Sequence, residues 1–438
     1  RKILTYKYSM TIFRPFNEKW QNDWKDKNNN VPVNRALFVL SSEKEEDKFV
    51  KNIYPNLQDR QRYLEYRNEW YRRAKEFDEG KYPLSVNCEL VSTCNLACSM
   101  CYTITDKFQN SIVGAQRMLP WEILTKIIDE AAELGVPSIS FSWRGESTMY
   151  KVRDKNNEWK DFADAINYAD KKGILETTSL THGQLIDEKF AEKIVLANPS
   201  WISFSIDGIG ETYNKIRTPA NKLDDKNFNA FEKVCNAIKL LIKYKKIHNK
   251  TRPSIRTNTI FPAIQNNPDE YRDFMKNLGV DLITVNEMKD YRFHELSDEK
   301  IQDNWGCQYP FQRLTVSANG IIIPCTGAYN EEEGLVLGKY DGSKDKAIRN
   351  YEGKIVKQNL DEFNLFNAWH SEKLKRIRFL HKNGKRKEID PGCKNCHHGT
   401  VHHGVGHLPK QWDAKKQQWS EHKILSKKRN YHKRGNQI

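Results

Sequence analysis

The sequence predicts an α/β chain built on a partial (β/α)6 barrel, and three observations carry that expectation. Between residues 84 and 290, short β-prone runs alternate with amphipathic helical runs. No apolar run approaches the roughly 20 residues that a membrane-spanning helix needs. The polar motifs of this stretch fall where the strand runs end. Strands alternating with helices make a parallel sheet, and right-handed crossovers curl it. Six units therefore give an incomplete barrel whose reactive groups belong at the C-terminal ends of the strands.

Residues 1 to 40 mix aromatics with Asn, Asp and Lys without a period and read as irregular. From Ser42, with Glu45 three places on as a capping box, the pattern turns helical to about Gly80, with Phe49, Ile53, Tyr63, Tyr66, Trp70 and Phe77 at the apolar positions. Tyr and Arg crowd together between Arg60 and Arg73. Such a stripe could stack on RNA bases, but it more often marks a helix packing on a barrel. Six strands follow, over residues 84–91, 138–143, 174–180, 201–207, 254–260 and 281–286. The helix from Pro120 to Leu134 opens with proline in its first turn, repeats Ile123, Ile127, Ala131 and Leu134, and stops at Gly135. Cys235 shares an apolar helix face with Val234, Ile238 and Leu241, and Cys88 lies inside the first strand, so both read as packed core thiols. After the barrel, Cys307 to Cys325 reads as two strands joined at Asn319-Gly320, a hairpin with a cysteine at each outer end. The expected organisation is an N-terminal arm and helix over 1–80, the barrel over 81–290, a small hairpin-containing domain over 291–407 and a basic tail over 408–438.

At 438 residues the chain has room for two or three cores, and 38% hydrophobic with 29% charged residues describes a soluble globular protein. Residues 1 to 16 lack the apolar core of about 7 to 15 residues that a secretory signal needs, which places the chain in the cytoplasm. Nine cysteines in close groups suit metal ligation in a reducing compartment better than disulfides. The net charge of +15 points to an anionic partner, but nine Lys and Arg against two Asp and Glu over 409–438 put nearly half of it in the tail.

Chemistry concentrates after the first strand, where Cys94, Cys98 and Cys101 stand at the spacing C-x3-C-x2-C. Three thiolates on a 4Fe-4S cube leave one iron open, and an open position separates a reactive metal centre from a closed structural one. For the bare triplet, a zinc knuckle or buried structural cysteines are the alternatives. The second strand leads into Trp143-Arg144-Gly145-Glu146 and the third into Thr181-His182-Gly183. The fourth ends in Ser205-Ile206-Asp207-Gly208, followed by Tyr213-Asn-Lys-Ile-Arg217. In this order, the five motifs resemble those of the radical S-adenosylmethionine (SAM) superfamily, a group of TIM-like partial barrels. The resemblance implies a 4Fe-4S cluster on the three cysteines, with its open iron chelated by the methionine part of SAM. It further implies Gly145 and Glu146 at the cofactor's ammonium group, the Thr181 turn nearby, Ser205 and Asp207 at the ribose hydroxyls, and Asn258 as a polar cofactor contact from the fifth strand. Two departures stand out. Met100 occupies the place where the family usually has an aromatic residue, with Tyr102 one place beyond, and Arg144 replaces the first glycine of a Gly-Gly-Glu turn.

Downstream, Cys307 and Cys325 with Cys393 and Cys396 make four thiolates, enough to close a second 4Fe-4S cluster or a zinc site. The run from Phe366 to Arg378 resembles the segment before the last cysteines of SPASM and twitch extensions, and four cysteines rather than seven favour the one-cluster twitch form. Cys393-x-x-Cys396-His397 also has the letter pattern of c-type haem attachment, a chemistry of exported proteins. The histidines from His397 to His407 receive no role. Taken whole, the resemblance implies an enzyme that cleaves SAM reductively, with electrons from an external donor such as flavodoxin or ferredoxin, and abstracts hydrogen with a 5'-deoxyadenosyl radical. Arg144 and Arg217, expected at the barrel mouth, suggest a small anionic substrate, with a nucleotide-sugar first and a ribosomal peptide as the alternative. An RNA-binding protein with a structural metal site is a third reading, motivated by the basic tail.

Overall fold

The computed structural model describes residues 33–34, 43–105, 108, 118–220, 229–264, 266–286, 306–327, 331, 334–340, 348–349, 355–357, 360–390, 392–394, 396, 410–413 and 418–421. All six barrel strands are present: β1 Ser85–Cys88, β2 Ser138–Ser140, β3 Glu176–Thr181, β4 Trp201–Ser205, β5 Ser254–Ile260 and β6 Leu282–Asn286. Each pairs in parallel with the next. The first two strands are shorter than their apolar runs. Leu90, Val91 and Phe141 are buried by packing after the chain has left the ladder, and the loops that they begin carry the site.

One face of this sheet is apolar. Val86, Cys88, Ile139, Ile202, Phe204, Ile255, Ile283 and Val285 join the main core, which also takes the inner stripes of the intervening helices. The Pro120 helix appears as Trp121–Leu134 and ends at Gly135, whose φ of 78° lies in the left-handed region that glycine adopts freely. The opposite, lumen-facing positions are mostly polar: Ser85 and Asn87, Ser138 and Ser140, Glu176 and Thr178, Ser203 and Ser205, Arg256 and Asn258, Thr284 and Asn286. Cys235 is buried on its helix, as its spacing predicts.

The N-terminal helical stretch is broken in two, a correction to the single helix expected. Helix α1 Glu43–Ile53 stops before Pro55, which has no N–H to continue the ladder, and α2 Leu57–Glu76 restarts with Asn56 accepting the Gln58 N–H on its side chain. Ser42 of the expected capping box lies outside the described residues. Tyr63, Tyr66 and Trp70 of α2 form a second core with Leu84 and Leu175 at the N-terminal ends of β1 and β3. Burying each of these rings is worth about 1.5–3 kcal/mol. The Tyr side of the stripe is therefore packing surface, and it offers no platform for RNA bases. Of the first 40 residues only Val33 and Asn34 are described, and they pair in parallel with β6 instead of being irregular.

The C-terminal part extends the same sheet. Strand β7 Arg313–Val316 pairs in parallel with β1 and antiparallel with β8 Ile321–Ile323. Then come β9 Gly338–Tyr340, antiparallel to β8, and β10 Glu362–Phe363, parallel to β9. The predicted Asn-Gly turn is present, with Gly320 N–H donating to Ser317 O and φ of 77° at Gly320. The hairpin is shorter than expected, because Tyr309–Gln312 is a helical turn with proline in its first positions. The boundary expected near residue 290 lies outside the described residues. Within the tail, Lys410–Asp413 and Gln418–Glu421 pair as an antiparallel hairpin.

Candidate active site

Beyond β1 the chain turns across the sheet's C-terminal edge, and hydrogen bonds from Ala97 N to Thr218 O (2.7 Å) and Ser99 N to Ile216 O (3.1 Å) pin the cysteine loop to the segment after β4. Cys98 is buried, while Cys94 and Cys101 are half-buried. Two donors face their sulfurs: the Leu96 N–H stands 3.4 Å from Cys94 Sγ, and Arg217 Nη1 stands 3.8 Å from Cys98 Sγ. Burial raises the Cys94 thiol, and the nearby Glu146 carboxylate and the other two thiols add to the rise. Burial pushes the Cys98 thiol up to about 11 against the pull of Arg217. A cationic metal centre would relieve both. Among the described residues no three His, Cys, Asp or Glu side chains converge on the point a single ion would need. The three thiols are nevertheless electrostatic neighbours.

Gly145 lies directly on the backbone that leads to Cys94. A Cβ there would sit 2.4 Å from both Val91 O and Thr93 O, so only glycine fits. Glu146 follows, with its N–H donating to Thr93 O at 3.0 Å. Its carboxylate is buried and accepts from Thr148 N (3.0 Å), Thr148 Oγ1 (2.6 Å), Thr181 Oγ1 (2.6 Å) and His182 N (2.9 Å). Burial opposes ionisation, yet the carboxyl is held below its usual range by the nearby His182 ring and by these donors. Three of these donors crowd Oε1 and one reaches Oε2, which keeps acceptor capacity for an approaching cation.

His182, to which the sequence reading gave no role, ties two motifs together. Its Nδ1 accepts the Gln184 N–H at 3.0 Å, so the proton sits on Nε2, which faces Asn95 Oδ1 at 2.8 Å beside Cys94. Burial lowers its basicity, against the pull of the Glu146 carboxylate. The hint in the sequence was its place in the Thr-His-Gly turn.

Asp207 is buried at the end of β4, where Oδ1 accepts the Ile260 N–H (3.0 Å) and Oδ2 takes Arg217 Nε (2.8 Å) and Nη2 (2.6 Å). Arg217 thereby bridges Asp207 and Cys98. Ser205 and Asn258 are adjacent in register on β4 and β5, and the Asn258 amide accepts from Asn286 on β6. Arg144 corrects the expectation of a cation waiting at the mouth. It is fully buried and ion-paired with Glu89 (2.6 Å) and Glu331 (2.8 Å). Both arginines proposed for an anionic substrate are committed to carboxylates.

The second cysteine group comes together in the fold, with a helical turn between Cys307 and the strand that follows it. Cys307, Cys325, Cys393 and Cys396 lie close enough for the other three thiols to raise Cys393, after burial has done so first. Burial pushes Cys307 up to about 12. The Cys307 N–H donates to His381 Nδ1 at 3.2 Å, and the Cys396 N–H to Cys393 O at 3.3 Å. Four buried or half-buried thiols in one neighbourhood fit a closed cluster. The histidines at 397–407 lie outside the described residues.

Comparison with known proteins agrees with this geometry. The sequence profile of the Radical SAM superfamily matches residues 89–245, and that of the SPASM iron-sulfur cluster-binding domain matches residues 307–397. An Fe-coproporphyrin III synthase from Methanosarcina barkeri (strain Fusaro / DSM 804) is 34% identical over 142 residues, covering 32% of this chain and 31% of that protein. This chain therefore spans only about a third of that relative's length. A tungsten-containing aldehyde ferredoxin oxidoreductase cofactor-modifying protein from Pyrococcus furiosus (strain ATCC 43587 / DSM 3638 / JCM 8422 / Vc1) is 22% identical over 336 residues, 70% of this chain and 85% of that protein. Among solved structures, anSMEcpe with bound AdoMet aligns with a TM-score of 0.47 at 15% identity, over 79% of this chain and 94% of its own. BtrN in complex with AdoMet and 2-DOIA aligns with a TM-score of 0.42 at 15% identity, over 72% and 94%. No helix among the described residues is long and apolar enough to cross a membrane. Both profiles fall on the two cysteine groups, so the chain is an enzyme that carries a Radical SAM domain over residues 89–245 and an iron-sulfur cluster-binding SPASM domain over residues 307–397.

Proposed function

We propose that this enzyme abstracts hydrogen from a small polar metabolite held in the upper barrel lumen, with a sugar or its nucleotide-activated relative as the first candidate. One observation carries the reading. Ser140, Leu180, Ser205, Asn258, Thr284 and Asn286, lumen positions on five neighbouring strands, are partly or fully exposed, whereas Ile139, Thr181, Phe204, Thr257, Thr259 and Val285 beside them are buried. These positions offer hydroxyl and amide groups and one aliphatic wall, whereas the charged lumen residues Glu176 and Arg256 are buried. Hydrogen bonding, more than charge, then selects the substrate at the reacting end.

Bound at the mouth, the cluster and SAM supply reductive C–S cleavage and a 5'-deoxyadenosyl radical. Cys94, Cys98 and Cys101 hold the cluster in this reading. Gly145 and Glu146 fix the turn that receives the ammonium end, Thr181 and His182 lock Glu146, and Ser205 and Asp207 face the ribose. Arg217 stabilises anionic sulfur at Cys98. Cys307, Cys325, Cys393 and Cys396 hold one auxiliary 4Fe-4S cluster. Reduction comes from an external donor such as flavodoxin or ferredoxin, and the enzyme works in the cytoplasm. The deciding experiment follows deuterium from labelled candidates into 5'-deoxyadenosine. Transfer from a sugar or nucleotide-sugar supports the reading, and transfer from a peptide alone overturns it in favour of a peptide maturase.

A further inference from the structure

We infer that Arg144 is a positioning residue that couples the cofactor turn to the auxiliary-cluster domain, through a buried triad with Glu89 and Glu331. The three residues come from three places: Glu89 follows β1, Arg144 stands one residue before Gly145, and Glu331 lies between β8 and β9. Glu89 Oε1 accepts from Arg144 N (3.3 Å) and Nε (2.7 Å), and Glu89 Oε2 accepts from Arg144 Nη2 at 2.6 Å. The same Nη2 reaches Glu331 Oε1 at 2.8 Å. The side chains of Arg144 and Glu89 are wholly shielded from solvent.

Both carboxylates also grip the hairpin of the second domain. The Ala318 N–H donates to Glu89 Oε2 at 3.0 Å, and Asn319 Nδ2 stands 3.4 Å from Glu331 Oε1. The neighbouring residue makes a parallel tie: Trp143 Nε1 donates to Thr326 O at 2.8 Å, one residue beyond Cys325, and the Trp143 ring lies under the Arg144 guanidinium at 4.0 Å. Glu331 has a φ of 50°, a left-handed backbone uncommon for a residue with a side chain, and the triad holds it there. A planar five-donor group can serve two carboxylates at once, which a glycine in this place cannot do. Residues 143–146 thus join the segment next to Cys325, the proposed auxiliary-cluster ligand, to the turn that carries Glu146.

The test compares wild type with Glu331→Gln and Arg144→Lys by hydrogen–deuterium exchange on the full chain, with SAM kinetics and the auxiliary cluster's EPR signal as further readouts. Glu331→Gln keeps the shape and removes one charge, so it decides the matter even if the Arg144 variant does not fold. Segments 143–149 and 317–327 are expected to lose protection together, by about tenfold, with the rest of the barrel unchanged. The KM for SAM should rise by about tenfold more than kcat falls, and the auxiliary EPR signal should shift, as supporting contacts around a metal site typically produce changes of 10–100-fold. Wild-type protection at 143–149 in Glu331→Gln overturns the inference. So does a uniform loss across the barrel, which would mark the triad as a general stability element.

Discussion

The two cysteine groups solve the same problem in opposite ways. Cys94, Cys98 and Cys101 come from eight consecutive residues on a loop held by backbone hydrogen bonds, and their surroundings include a cation, Arg217, at the sulfur of Cys98. Cys307, Cys325, Cys393 and Cys396 span 90 residues and are gathered by a hairpin, a helix end and the neutral ring of His381. One group is local and sits among groups that can receive a cofactor. The other is a product of the fold and is enclosed by it. The contrast is between a cysteine group set by loop spacing and one set by the tertiary structure that encloses it.

The contrast is broken most severely by removing the local group. Replacing Cys94, Cys98 or Cys101 with alanine should abolish 5'-deoxyadenosine formation and remove about 4 of about 8 irons per chain, the content of two four-iron sites. Iron analysis and chromatography of anaerobic reactions check this. Replacing Cys393 should instead cut iron to about 4 per chain while SAM cleavage persists without product. A preparation holding about 4 irons and one zinc would assign the second group to zinc.

Gly145→Ala forces a Cβ to within 2.4 Å of two backbone oxygens, so the turn must shift. Overpacking of this kind costs about 1–3 kcal/mol, and weaker SAM binding should accompany a lowered melting temperature. A smaller effect separates the two sites by pH. His381 is pushed down to about 3, by burial first and by Arg386 second. Its folded value lies below the ordinary ~6.5, so its stabilising contribution is complete above ~6.5 and drains away as pH falls towards 3. Thermal melts of cluster-free protein between pH 7 and pH 5 should be flatter for His381→Gln than for wild type. The smallest effect is expected from deleting residues 409–438, which should alter salt-dependent association with RNA and leave turnover unchanged.

Much of this was legible in the sequence because the signals are short-range. The cysteine spacing, the Arg-Gly-Glu and Thr-His-Gly turns and the Ser-x-Asp-Gly strand end each lie within a few residues and appear at strand ends as expected. The turn that brings Cys325 back towards Cys307 was legible from one Asn-Gly step, although a helical turn, not a strand, follows Cys307. What escaped was long-range. Nothing near Arg144 announces Glu331, 187 residues away, so a buried cation read as a ligand contact. Glu89, a carboxylate between Cys88 and Leu90 in an apolar run, was the available warning. Pro55 marked the helix break but was outweighed by the aromatic period around it.

The pairing of β7 with β1 has a practical consequence. Chain segments outside the barrel occupy both of its rims, Val33–Asn34 along β6 and Arg313–Val316 along β1. A fragment cut near residue 290 would lay bare the backbone amides and carbonyls of Ser85–Cys88 on a flat, apolar-backed strand, which is a template for sticking to other chains. The SAM-binding region of this protein is therefore not a detachable module. Attempts to express it without the second cysteine group should give aggregates, and the two halves are expected to fold and fail together.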